Sequence, residues 1–245
     1  MEGTAMTIDG DAHRNIDVVR LMAWLSPSFP VGAYTYSHGI EYAIEAGLIG
    51  DRETLSMWIS HILTHGSGRS DCVLARAAHD AVRAGDVDQF SDVATWADVY
   101  RSSPEMALES VSQGAAFLET AAAAWSEINL PPWRANLDAI ERPAAYAVAL
   151  GLVSALSGIP VRLMLSAFLH AFAANLISAG VRLVPLGQTD GQRATADLER
   201  TVLGVADEVA AIEPIILPDH LGTAAPMVDW TSIQHETQYT RLFRS

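Results

Sequence analysis

The chain contains no lysine: all 15 of its basic residues are arginine, set against 29 acidic residues for a formal net charge of −14. This excludes every mechanism that needs a lysine amine, including Schiff-base catalysis, the P-loop lysine and a Ser-Lys dyad. It also argues against nucleic-acid binding, because a surface that tracks phosphates needs clustered positive charge. Cysteine is almost absent. Cys72 stands alone, which excludes an intramolecular disulfide and a thiolate metal cage. Long runs of alternating polarity, the mark of half-buried strands, are missing as well. The opening MEGTAMTIDGDAH has no basic segment leading into an apolar one, so no secretory signal is expected and a cytoplasmic protein is the default.

Half of the 245 residues are hydrophobic and 18% are charged, the balance of a globular chain with a full-sized core. One uncharged run, LMLSAFLHAFAANLISAGV at 163–181, has the length of a bilayer crossing. It is Ala-rich, however, and places Ser166, His170 and Ser178 on one helical face with Asn175 beside them. It reads as the central helix of an all-α domain and not as a membrane span, with His170 and Asn175 as buried polar groups bonded to neighbours.

Nearly everything from Asn15 onward fits a helical period. Residues 1–13 read as a flexible tail and 14–245 as a single all-α domain, an antiparallel bundle of about nine to ten helices whose last part, 213–245, is irregular. A first helix stops at the Ser26-Pro27 and Phe29-Pro30 pairs. A second is expected over Tyr34–Ala46, closed by Gly47 as a left-handed cap. Asp51 caps a third helix that reaches His65. Segments 71–84 and 86–100 follow, divided at Gly85. Ser103-Pro104-Glu105 starts a helix running to about Glu127, broken by Pro131-Pro132. Two very apolar helices, 142–157 and 160–184, precede an amphipathic one over 193–212.

Several motifs invite a chemical reading. Arg182-Leu-Val-Pro-Leu-Gly-Gln-Thr-Asp-Gly-Gln192 is a Gly-containing polar loop, but it has no lysine and follows a helix, so it is no phosphate cradle. Thr189-Asp-Gly-Gln192 has the form of a capping box, which leaves Gln188 and Asp190 unexplained and a contact role open. In Tyr34-Thr-Tyr36-Ser-His38 the Ser-His adjacency suggests a hydrolase using Ser37, yet neighbours on a helix point about 100° apart, and no G-x-S-x-G elbow exists. His61 and His65 stand four apart, a spacing that chelates a divalent ion, with Asp71 and Cys72 not far off; a helical metal-binding or storage protein using His61 and His65 is the alternative function. The Ala-rich stretch 115–124 permits close helix approach. Finally, the chain ends in His235-Glu-Thr-Gln-Tyr-Thr-Arg-Leu-Phe-Arg-Ser245, two arginines flanking Leu-Phe, which reads either as an interface tail or as a segment packed back on the fold.

Three stretches together resemble the UreF family of urease accessory proteins: SPSFPVGAYTYSHGIE with EAG following, FLHAFAANLISAGVRLVPLGQTDGQ, and HETQYTRLFRS. They lie in order and bracket the chain from about residue 20 to its end. The resemblance implies an all-α homodimer with no catalytic activity of its own, and no catalytic, cofactor-binding or metal-ligating residue is assigned. It implies a nickel-insertion chaperone that scaffolds the nickel-carrying GTPase UreG and the partner UreD (also called UreH), gating GTP-dependent nickel delivery to the urease apoprotein. By that likeness Tyr34, Tyr36, His38 and Glu41 would lie on a surface presented to partners. So would Gly187, Gln188, Thr189, Asp190, Gly191 and Gln192. The tail Tyr239, Arg241, Leu242, Phe243, Arg244 and Ser245 would order against UreD and help to dock UreG.

Overall fold

Asp51 and Ser103 show how directly this sequence writes its helix ends. The Asp51 carboxylate accepts from the Thr54 amide at 2.8 Å while the Thr54 hydroxyl accepts from the Asp51 amide at 3.2 Å, a reciprocal capping box. Ser103 Oγ accepts from the Met106 amide at 3.3 Å with Pro104 in the first turn. Gly47 takes φ 73° after the second helix, as the left-handed cap requires.

The structure, a computed structural model, describes residues 5–138 and 144–244, with side chains from Asn15 onward. All regular structure among them is helical: α1 (Ala5–Trp24), a 3-10 turn (Ala33–Thr35), α2 (Ile40–Glu45), α3 (Arg52–His65), α4 (Ser67–Ala84), α5 (Val87–Val99), α6 (Pro104–Ala124), α7 (Pro131–Asp138), α8 (Tyr146–Leu156), α9 (Val161–Leu183), α10 (Gln188–Ala211), α11 (Leu217–His220) and α12 (Pro226–His235).

The helix α8 sits at the centre. Every residue from Ala147 to Ala155 is buried, so it has no polar face to offer. It lies between α4 and α6 and also touches α5 and α9. By length and composition α9 would cross a membrane, yet half of its most apolar window is buried against other helices, chiefly α10, α4, α3 and α2. His170 is exposed and not buried as expected, and Ser178 shares its exposure, so the polar stripe is the uncovered side of a central helix. Asn175 does find a partner, donating to the Ala33 carbonyl at 2.8 Å. Trp24, Phe29, Phe117 and Trp125 meet edge-on or tilted and pin α1 to α6.

Arginine performs structural work that lysine's single point charge would do less well. Arg76 donates to the Val209 carbonyl at 2.8 Å and also to that of Ala210; Arg69 bonds Glu208 at 3.0 Å and the His220 carbonyl at 2.9 Å. Both tie α4 to the C-terminal end of α10, where unpaired carbonyls collect.

Several expected boundaries are corrected. The first helix begins at Ala5, inside the stretch read as a tail, because no residue before Pro27 forces it to stop. Proline read as a breaker acts repeatedly as a starter: Pro131, Pro218 and Pro226 all lie in first turns, giving α7, α11 and α12, so 213–245 is not irregular throughout. These short helices and α2 carry the count past nine to ten, to twelve α-helices among the described residues. The start of the expected 142–157 helix falls partly outside the described residues.

The helix expected from Tyr34 does not form. His38 and Gly39 adopt φ 52° and 75°, and the chain turns sharply before α2. Gly39 is required there, since a Cβ would lie 2.6 Å from the Ser232 amide nitrogen of α12. The capping box expected at Thr189 is also absent. Gly187 is the N-cap without a side-chain bond, and Thr189 already lies in the first turn, because the Pro185-Leu186 turn brings the chain into helix sooner.

Candidate functional site

Glu41 sits in the first turn of α2, where a carboxylate suits the helix N-terminus, and it is buried. Its two oxygens gather the end of the chain. Oε1 accepts from the Leu242 amide at 2.6 Å; Oε2 accepts from the Phe243 amide at 2.9 Å and meets His235 Nε2 at 3.1 Å. One residue further, the Arg244 amide donates to the Thr35 carbonyl at 2.8 Å. The C-terminal segment is therefore clamped through its backbone, with one buried carboxylate as the clamp.

His235, fully buried at the last turn of α12, lies between two carboxylates, with Glu105 Oε2 2.9 Å from Nδ1. Glu105, in the first turn of α6, also accepts from Arg241 at 2.6 Å. Arg241, Glu105, His235 and Glu41 thus form one hydrogen-bonded chain, joining tail, α6, α12 and α2.

The Phe243 ring is the apolar anchor, only 4% exposed, with the Arg182 guanidinium 4.4 Å from its centroid. Arg182 also donates to the Tyr34 carbonyl at 2.9 Å. The tail, the Tyr34–Glu41 turn and the end of α9 meet at this arginine. The 187–192 stretch joins from the other side: Gly191 is buried so closely that a Cβ there would sit 3.1 Å from Val181 of α9.

Of the residues expected on a partner surface, only some face outward. Tyr34 is exposed, whereas Tyr36, His38 and Glu41 are buried, because the left-handed turn swings them inward. Gly187, Gln188, Thr189 and Gln192 are exposed; Asp190 is half-buried and pairs with Arg193 at 3.0 Å. In the tail, Tyr239, Arg241, Leu242 and Arg244 face solvent and Phe243 does not. Ser245 lies outside the described residues. The sequence shows Arg182 and His235 only as the first residues of their stretches, without a role, and Glu105 was missed as a member of this cluster. Glu105 was visible only as the acid of a helix start, and nothing local announces its distant partners.

A second polar cluster lies deeper. His38 Nε2 is 3.0 Å from Glu109 Oε1, which also accepts from Gln113 at 2.9 Å, and Arg101 pairs with Asp71 at 2.7 Å. These groups form the polar side of a cavity of about 560 Å³ between α1, α6 and α9, whose apolar walls include Leu21, Trp24 and Phe168. Burial disfavours the charged His38 ring, but the Glu109 carboxylate beside it, with help from Asp71, outweighs that and raises its pKa above 6.5. A raised folded-state pKa stabilises the fold fully below the ordinary value, and the contribution fades as pH rises through the folded value. Urea midpoints measured between about pH 6 and 9 are expected to fall with pH, and His38→Gln to flatten that part of the slope. An unchanged slope in the variant would contradict the pairing.

His61 and His65 remain together on α3 with ring centroids 5.0 Å apart. Asp71 and Cys72 do not join them. Asp71 is engaged by Arg101, Cys72 is buried, and burial holds its thiol well above the ordinary range. Among the described residues no group of three or more His, Cys, Asp or Glu is placed to hold a metal.

The architecture is that of an all-α protein organised around its own docked C-terminus. A profile of the UreF family matches residues 49–199. A urease accessory protein UreF of Rhodopseudomonas palustris (strain BisB18) is 48% identical over 228 residues, covering 92% of this chain and 91% of that protein. The protein of the same name in Bradyrhizobium sp. (strain BTAi1) is 47% identical over 226 residues, 92% of this chain and 91% of its own. That of Granulibacter bethesdensis is 46% identical over 233 residues, 92% and 93% respectively. The chain belongs to the UreF family of urease accessory proteins.

Proposed function

We propose that this chain is a non-enzymatic nickel-insertion scaffold. It pairs with a second copy of itself, binds UreD (UreH), and recruits the nickel-carrying GTPase UreG, gating GTP-dependent delivery of nickel to the urease apoprotein in the cytoplasm. It needs no cofactor of its own and acts with a GTP- and nickel-binding partner.

One observation supports this reading best. The tail is anchored by backbone bonds and by Phe243, while Tyr239 is fully exposed and Leu242 is 66% exposed. A segment held rigidly with an aromatic and an aliphatic side chain turned outward is preorganised for a protein partner, since little ordering entropy remains to be lost. The buried Tyr36, His38 and Glu41 then act on the partner surface indirectly, by fixing the turn and the tail.

The test separates surface from support. Deleting Arg241–Ser245 would remove Phe243 and both backbone amides that Glu41 accepts from, leaving it only His235, so lost recruitment would mix two causes. Tyr239→Ala with Leu242→Ala leaves the clamp in place. This double variant is expected to weaken capture of the GTPase in the presence of UreD by at least about tenfold, with its unfolding free energy within about 0.5 kcal/mol of the parent. Undiminished capture would count against the tail as a docking surface. GTP turnover by the purified chain alone would refute the scaffold reading itself.

A further inference from the structure

His61 and His65 differ from the other histidines whose rings have partners. His38 is held by Glu109, His79 by the Ile159 carbonyl at 2.9 Å, His220 by the backbone of Ile216, and His235 by two carboxylates. The two α3 rings face only each other among the described residues, on the exposed side of the helix. Their lone pairs are uncommitted.

Their spacing is that of a chelate. Two imidazoles bound to one ion at about 2.1 Å, with an N–metal–N angle of about 90–109°, place their ring centroids roughly 4.6–5.3 Å apart; the observed separation is 5.0 Å. Consecutive turns of an α-helix hold residues i and i+4 one above the other, so the backbone has already oriented both ligands. His65 is the last residue of α3, at the end of the helix dipole that carries partial negative charge. The rings border a shallow cleft between α3 and α10 that also carries Ser60, Thr64, Asp197 and Thr201. Asp197 is engaged by Arg52, and the hydroxyls offer partners for metal-bound water.

We infer that His61 and His65 form a surface site for a borderline divalent transition ion such as Ni²⁺ or Cu²⁺, coordinated by the two imidazoles and completed by water. The site is exchangeable and not structural. Two neutral nitrogen ligands and open positions hold an ion long enough to concentrate it and loosely enough to release it, and the chain's net charge of −14 favours the cation's approach. This inference does not depend on the scaffold proposal, because it concerns only the α3 rings and a bare ion.

Isothermal titration of the full chain with CuCl₂ and separately with NiCl₂ tests it. One ion per chain is expected, with Cu²⁺ bound more tightly than Ni²⁺, following the usual order for nitrogen sites. Removing one arm of a two-arm chelate forfeits the effective concentration of the second, so His61→Ala or His65→Ala alone is expected to weaken binding about 100-fold. His61→Ala with His65→Ala should abolish it. Both rings are exposed, so far-ultraviolet circular dichroism of these variants should match the parent, and His170→Ala, an exposed histidine on α9, should bind as the parent does. Undiminished binding by the double variant, or no binding by the parent, would overturn the site.

Discussion

Glu41→Ala is expected to free the C-terminal segment and to lower unfolding free energy by about 3–5 kcal/mol, because hydrogen bonds to a carboxylate contribute about 1.5–3 kcal/mol each and three share this one, with water replacing part of the loss. The loss concentrates at one point. Two backbone amides, Leu242 and Phe243, and the Nε2 edge of fully buried His235 all lose the same acceptor. Each orphaned buried donor costs about 1–3 kcal/mol unless water reaches it; opening the tail lets water in, at the expense of exposing Phe243. Glu41→Gln should fall between the parent and Glu41→Ala, because its carbonyl oxygen still accepts from part of the group while its NH₂, itself a donor, opposes a backbone N–H. If Phe243 burial alone held the tail, Glu41→Ala would cost little, and Phe243→Ala would carry the whole effect. Urea unfolding gives the energy and trypsin the geometry. In a chain without lysine trypsin cuts only after arginine, so release of the tail would appear as faster cleavage after Arg241. Unchanged midpoints and unchanged cleavage in Glu41→Ala would sink the clamp.

The parts legible in the sequence are those decided within a few residues. Asp51 with Thr54 and Ser103 with Pro104 announce their helices because the capping bonds span three positions. The all-apolar α8 and the striped α9 follow from composition and period. Failures arise where the deciding contact is distant. Glu41 reads as an ordinary first-turn acid, since its partners stand 194 to 202 residues further along the chain. The Tyr34–Ala46 stretch has helical periodicity but breaks at His38–Gly39, where α12 passes too closely for any side chain at Gly39. Thr189 has the right neighbours for a cap and loses the position to Gly187, because the preceding turn sets where α10 begins. The candidate site shows the same division: its three stretches, Arg182 included, are each visible as motifs, whereas the contacts of Arg182 with Tyr34 and Phe243, and the place of Glu105 beside His235 and Arg241, are visible only in space.

The Ala-rich stretch at 115–124 suggested close helix approach, and the closest approaches lie just outside it, at Gly114 of α6 and Gly151 of α8. A Cβ at Gly151 would fall 2.3 Å from the Ala75 carbonyl oxygen of α4, and one at Gly114 would fall 1.9 Å from the Ala144 carbonyl oxygen. Both obstacles are backbone, so no rotamer change relieves them and whole helices must separate. Helix α8 cannot yield by moving, because α4 and α6 enclose it. Gly151→Ala is therefore expected to destabilise by about 3 kcal/mol or more, at or beyond the upper end for overpacking. The same substitution at Gly204, exposed within α10 with nothing within 4 Å of its Cβ, should stabilise by up to about 1 kcal/mol through helix propensity. Opposite signs for one chemical change would show that packing, and not propensity, decides at α8; equal stability of Gly151→Ala and the parent would refute it. The consequence reaches the candidate site, because α6, which α8 holds in place, carries the Glu105 that pairs with His235 and Arg241. Loss of that register should loosen the tail even though Gly151 touches none of its residues.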